Sequence, residues 1–153
     1  MTKDDKLVYT VMLCFFGIPA LLFFFLYSIG ERDTKLIVKG TNPPQFKMSG
    51  SGELGALRVM GPKTQREIEG WDASAYWVIV PENGCLEGEA IEDLSPITYG
   101  KIPKGYVQRY PEQGEAPPLV EREKYHVMAD TVNANHDSKY FIIQNGKSVE
   151  VPY

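Results

Sequence analysis

Hydrophobic and polar positions divide this chain into two parts with different periods. Residues 7–29, LVYTVMLCFFGIPALLFFFLYSI, contain no charged side chain. At about 1.5 Å per residue such a run forms a helix of roughly 34 Å, enough for a bilayer core of about 30 Å. A buried helix of a soluble protein would normally keep a polar stripe, and this segment has none. A single transmembrane helix is predicted over 7–29, after a short tail at 1–6. Gly17 and Pro19 interrupt it and predict a kink, which membrane helices tolerate when neighbours satisfy the freed carbonyl.

Beyond residue 44 the period drops to two and the runs become short. QFKMSG sets Phe46 and Met48 on one face, and ALRVMG sets Leu57 and Val59 on one face. With the glycine-rich SGSGELG between them, they predict an opening hairpin. AYWVIV, residues 75–80, is apolar on both faces and reads as a central, buried strand. SPITYG and GYVQRY are two further strands, joined across KIPK. EKYHVMADT alternates with Tyr125, Val127 and Ala129 on one face. KYFIIQ is a dense strand, Asn145-Gly146 is a strong hairpin signal, and KSVEV returns. About eight strands in roughly 110 residues, with turn signals at short intervals, predict an all-β sandwich. Long helical patterns between the strands are missing, which disfavours a parallel α/β sheet.

The stretch 30–44, ending in Asn42-Pro43-Pro44, reads as a juxtamembrane linker. Its apolar patch Leu36-Ile37-Val38 is open to reading as a short strand or an interfacial contact. The sandwich domain is then expected over 45–153, with Phe46, Trp77, Ile79 and Ile142 in its core.

Other readings of the N-terminal run fit less well. A cleaved signal peptide has a shorter apolar core of about 7–15 residues. A lipidation site at Cys14 would need small residues where Met12 and Leu13 stand. A pilin-type helix cannot continue through ERDTKLIVKGTNPP. Flanking charges are balanced, with Lys3 and Lys6 on one side and Arg32, Lys35 and Lys39 on the other, so they do not decide orientation. A short tail before one span favours a signal anchor. The N-terminus is expected in the cytoplasm and the domain in the periplasm, on a bacterial inner membrane.

Residues 31–153 carry 14 Lys/Arg against 18 Asp/Glu, a net charge of −4. An acidic domain disfavours nucleic acid, which needs clustered cations. It also has no polybasic lipid patch. The bilayer and a second membrane or envelope protein are the expected partners, with the oligomeric state left open. Cys14 lies within the predicted anchor and Cys85 in the domain, so the two cannot serve one intradomain disulfide. Cys85 remains a packed side chain, a free thiol or an intermolecular link.

The stretch LVEREKYHV, 119–127, carries a resemblance. Leu119, Tyr125 and Val127 resemble the Leu-x5-Tyr-x-Val corner of fibronectin type III domains. In that family the tyrosine starts a core strand and its hydroxyl bonds back to the upstream loop. The Pro-Gly-Thr of that corner is Glu121-Arg122-Glu123 here, and the proline stands earlier, at Pro118. The hairpin at 145–151 is a further departure. The set PPQFKMSGSGELGALRV, YGKIPKGYVQRYP, PPLVEREKYHV and YFIIQNGK also looks like small bacterial envelope proteins with Ig-like domains behind an anchor. That resemblance implies no activity.

Chemistry is sparse. His126 alternates away from Tyr125 and Val127, and His136 lies in the loop NANHDS. Neither belongs to a paired ligand spacing. The acidic loop 82–93 holds Glu82, Glu87, Glu89, Glu92 and Asp93 but lacks an EF-hand pattern. Asp137-Ser138 beside His136 is adjacency, not a triad. No catalytic residue, metal or cofactor is expected. Tyr106, Arg109 and Tyr110 form a candidate protein interface. The leading expectation is a non-enzymatic accessory subunit or interaction module. The alternative is a small-ligand or metal-binding sensor using the His126 face or the acidic loop.

Overall fold

The computed structural model describes residues 33–62, 74–84 and 86–153. The expected span at 7–29, its kink at Gly17 and Pro19, and Cys85 lie outside the described residues. Among the described residues no helix is long and apolar enough to cross a membrane. The chain from Arg32 to Tyr153 forms one compact unit.

That unit is two antiparallel sheets sharing one core. The small sheet has the order β1-β2-β5, with β1 at Thr34–Lys39, β2 at Gln45–Gly50 and β5 at Ile97–Thr98. The large sheet has the order β6-β4-β3-β7-β8-β9. Its strands are β3 (Glu53–Met60), β4 (Ala75–Pro81), β6 (Tyr106–Tyr110), β7 (Lys124–Val132), β8 (Asp137–Gln144) and β9 (Lys147–Val151). One four-residue helix, α1 at Ile91–Leu94, precedes β5 and buries Ile91.

Alternation decides which side chains fill the space between the sheets. Leu36, Val38, Phe46, Met48 and Ile97 come from the small sheet. Leu57, Val59, Trp77, Ile79, Tyr125, Val127 and Phe141 come from the large one, and all belong to one buried cluster. The Phe46 and Phe141 rings meet across the layers at 5.9 Å between centroids. This sandwich-like, all-β arrangement holds the eight strands expected from residue 45 onward and adds β1 before them.

Three expectations change. The stretch read as linker is strand β1, so the domain begins before residue 45. Thr34, Leu36 and Val38 point inward while Ile37 is exposed, which hid an ordinary alternation inside an apolar patch. Second, β2 and β3 do not form a hairpin. They lie in different sheets, and the chain crosses between them at Gly50–Gly52. Gly50 has φ +113°, and a Cβ there would collide with the Asp33 carbonyl, so only glycine makes this exit.

Third, Ile142 is half-buried, and the core residues of β8 are Phe141 and Ile143. The register explains it. Phe141 pairs with Tyr125 and shares its inward face, while Ile142 pairs with Lys124 on the outer face. Asn145 and Gly146, with φ of 52° and 70°, form the tight turn that holds β9 in register.

The β1 margin is closed by the other sheet. The Leu36 amide donates to Asp137 Oδ2 at 2.8 Å, and the Val38 amide to Glu150 Oε2 at 3.5 Å. The Ser148 hydroxyl reaches the carbonyls of Lys39 (2.6 Å) and Thr41 (3.1 Å). Side chains of β8 and β9 therefore satisfy backbone groups that would otherwise invite another strand.

Candidate functional site

The stretch 119–127 is a turn running into β7. Arg122 takes φ 66°, the Glu123 amide bonds to the Val120 carbonyl, and the Arg122 amide bonds to the Ile143 carbonyl at 2.8 Å. Residues 121–124 are exposed, while Leu119 packs against the core and Tyr125 and Val127 are buried. The Tyr125 hydroxyl accepts the Val120 amide proton at 2.8 Å. Burial, foremost, pushes the Tyr125 phenol up to about 12.

Two tyrosines absent from the sequence-based site complete this corner. Tyr76 donates its hydroxyl to the Pro118 carbonyl (3.1 Å), and Tyr99 donates to the Pro117 carbonyl (2.7 Å). Tyr76 meets Tyr125 edge-on at 5.2 Å, and Tyr125 stacks on Phe141 at 5.5 Å. Tyr99 packs edge-on against Trp77 at 5.3 Å. Desolvation, then the neighbouring Tyr76 and Tyr125, raises the Tyr99 phenol. Three phenols thus hold the Pro117–Pro118–Leu119–Val120 segment by its backbone. Prolines lack amides but keep carbonyls, and those carbonyls are what the tyrosines read. The signal in the sequence was the Pro-Pro pair before the corner.

Glu121 ties the corner to the last hairpin. Its carboxylate accepts the Asn145 amide through Oε1 and the Gly146 amide (3.4 Å) through Oε2. The corner is a built, internally satisfied structural feature.

The expected interface divides. Tyr106 is buried: its hydroxyl donates to the Leu54 carbonyl (2.7 Å) and accepts the Glu89 amide (3.2 Å). It is a core pin and does not belong to a surface. Burial, foremost, raises its phenol. Gln108, on the same face, accepts from Trp77 Nε1 at 3.1 Å and donates to the carbonyls of Pro111 and Gly114. Arg109 is exposed, and Tyr110 is 39% exposed. Val107 (40%), in the same strand, and Ile102 (48%), in the loop before it, are exposed as well. Alternation turns Arg109 to the face opposite Tyr106, and Tyr110 lies beyond the register shift of the β4–β6 ladder.

On the outer face of the large sheet, His126 stacks on Tyr140, with centroids 4.2 Å apart and rings 5° from parallel. Lys124 Nζ lies 4.7 Å from the Tyr140 centroid and donates to the Pro152 carbonyl. Burial lowers the His126 pKa, and its Nε2 has no hydrogen-bond partner among the described residues. An open groove of about 450 Å³ runs past His126, Met60, Met128 and Tyr140. His136 is exposed and remote from this stack in the ladder.

The carboxylates Glu82, Glu87, Glu89, Glu92 and Asp93 are exposed. Among the described residues no group of three or more His, Cys, Asp and Glu side chains is placed to hold a metal ion.

No protein-family model, no curated protein and no solved structure matches the chain.

Proposed function

We propose that this is a non-enzymatic, single-span membrane protein whose extracytoplasmic Ig-like, fibronectin type III-like domain serves as an interaction module. Its role is that of an accessory subunit in a membrane or envelope complex. The uncharged run at 7–29 supports the anchor. Strand order supports the Ig-like assignment. Strands β1, β2 and β5 stand where such folds carry A, B and E, and the run β3-β7-β8 stands where they carry C, F and G. On this reading Tyr125, near the start of β7, would correspond to the tyrosine at the start of F. Strands β4, β6 and β9 extend the large sheet beyond that plan.

The observation that carries the interaction role is the margin at β6. Ile102, Val107 and Tyr110 expose apolar surface beside Arg109 within nine residues, the kind of mixture enriched at protein contacts. Purification of the full chain in mild detergent tests the role. Co-purification of a stoichiometric protein or a higher-order species supports it; a lone monomer at every concentration counts against it.

The second reading is a small-ligand sensor. It is favoured by the groove beside the His126–Tyr140 stack and the unpaired His126 Nε2. Chemical-shift change at His126 on adding imidazole-binding or aromatic small molecules would distinguish it.

A further inference from the structure

The sheet margins of the domain are finished in different ways. At β1, two amides are answered by Asp137 and Glu150. At β9, the Ser148 amide and hydroxyl bond to the 39–41 turn. Strand β5 has only two residues. Strand β6 has five, ends the large sheet and pairs with β4 alone. Its one backbone–backbone bond outside that pairing, among the described residues, is the turn from the Tyr106 amide to the Pro103 carbonyl; the side chains of Tyr106 and Gln108 bond inward and to the following loop. An open margin of this length is a template for a further strand.

Charge indicates which strand fits. Lys101 and Lys104 precede β6, and Glu112 and Glu115 follow it; all four are exposed. Their spacing is symmetric about Gln108. Lys104 and Glu112 each stand four residues away, and Lys101 and Glu115 each stand seven away. An antiparallel neighbour reverses chain direction. A two-fold axis at Gln108 therefore brings the lysine end of one β6 to the glutamate end of the other. Val107 then faces Arg109 of the second copy, whose aliphatic stem can cover it.

We propose that β6 is a self-association margin that pairs antiparallel with β6 of a second copy of this chain. The inference rests on the reading of the domain as an interaction module and names its partner. The β6–β4 ladder shifts register between Val78 and Ile79, opposite the Arg109 end of β6. That bulge shortens the flat part of the strand, so the contact is reversible and concentration-dependent.

Sedimentation or light scattering of the full chain in mild detergent, over a dilution series, tests the pairing. The wild-type chain is expected to pass from dimer to monomer on dilution. Lys104→Glu or Glu112→Lys alone sets like charges together twice across the axis and should weaken association about tenfold. The double exchange, Lys104→Glu with Glu112→Lys, should restore it. A monomer at all concentrations overturns the proposal, as does a dimer indifferent to both single exchanges. Cross-links from Val107 that reach only a different protein would also overturn self-pairing, while leaving the interaction module intact. Val107 cross-links to nothing would remove both.

Discussion

The Tyr125 hydroxyl accepts a hydrogen bond from the Val120 amide, five residues upstream, at 2.8 Å. This bond joins the start of β7 to the strap that crosses toward it. Tyr76 and Tyr99 hold the same strap through two proline carbonyls. The corner is therefore shared by β7, β4 and the segment after β5.

Tyr125→Phe keeps the ring contacts with Tyr76 and Phe141 and removes only the hydroxyl. The expected loss is about 1–2 kcal/mol, the usual cost of one partly buried hydrogen bond. Val120 is 51% exposed, so water can reach its amide and the loss stays at the lower end. Denaturant midpoints of wild type and variant, compared at equal slope, measure it. A neutral variant would mean the hydroxyl contributes nothing to the corner.

Gln108→Leu should cost more. Trp77 is fully buried and its indole Nε1 has Gln108 Oε1 as its partner. The same side chain also holds the Pro111 and Gly114 carbonyls. Leaving a buried indole N–H unpaired costs about 1–3 kcal/mol, before any loosening of the 111–114 loop. Faster amide exchange at Gln113 and Gly114 in the variant should accompany the lower midpoint.

Asp137→Ala uncovers the Leu36 amide at the β1 margin. The accompanying contact to Lys139 is 3.7 Å long and partly exposed, and such pairs contribute little. The expected result is faster exchange at Leu36 and a greater tendency to aggregate through β1. Asp137→Asn, which keeps an acceptor oxygen, should behave closer to wild type. Equal exchange rates in all three chains would show the carboxylate to be dispensable.

Burial lowers the His126 pKa in the folded chain below its ordinary value near 6.5. The unfolded chain then binds the proton more readily, so stability rises with pH across this window. The contribution is complete above about pH 6.5 and is lost as pH falls toward the folded-state pKa. His126→Gln should flatten the stability profile below about pH 6.5, read from urea midpoints. An unchanged slope in that variant would assign the pH dependence to other groups.

The sequence made some of this architecture legible and concealed the rest for identifiable reasons. Strand β7 was readable because Tyr125, Val127 and Ala129 alternate with polar neighbours, and the β8–β9 turn because Asn-Gly suits φ > 0 at both positions. Phe141, Ile142 and Ile143 are consecutive and apolar, so their pattern could not say which faces inward. Pairing with Tyr125 chose Phe141. Leu36-Ile37-Val38 concealed β1 in the same way. The split of β2 from β3 depends on a glycine exit at Gly50 that resembles an ordinary hairpin turn in sequence. Tyr76 and Tyr99 joined the corner only through tertiary contacts, since each lies more than 15 residues from the proline it bonds. Tyr106 read as one patch with Arg109 and Tyr110 because nothing in the sequence showed that its hydroxyl is buried against the Leu54 carbonyl.

Site-specific photo-cross-linking in intact cells is the most direct test of an extracytoplasmic interaction domain with its contact at β6. The photoreactive residue would replace Val107, with His136, exposed in the loop between β7 and β8, as a control. Adducts of defined mass are expected from position 107 and not from 136. They should be accessible to protease added outside the inner membrane. Absence of adducts at 107, or protection of the domain until the membrane is opened, would contradict the assignment of a contact surface on that side of the membrane.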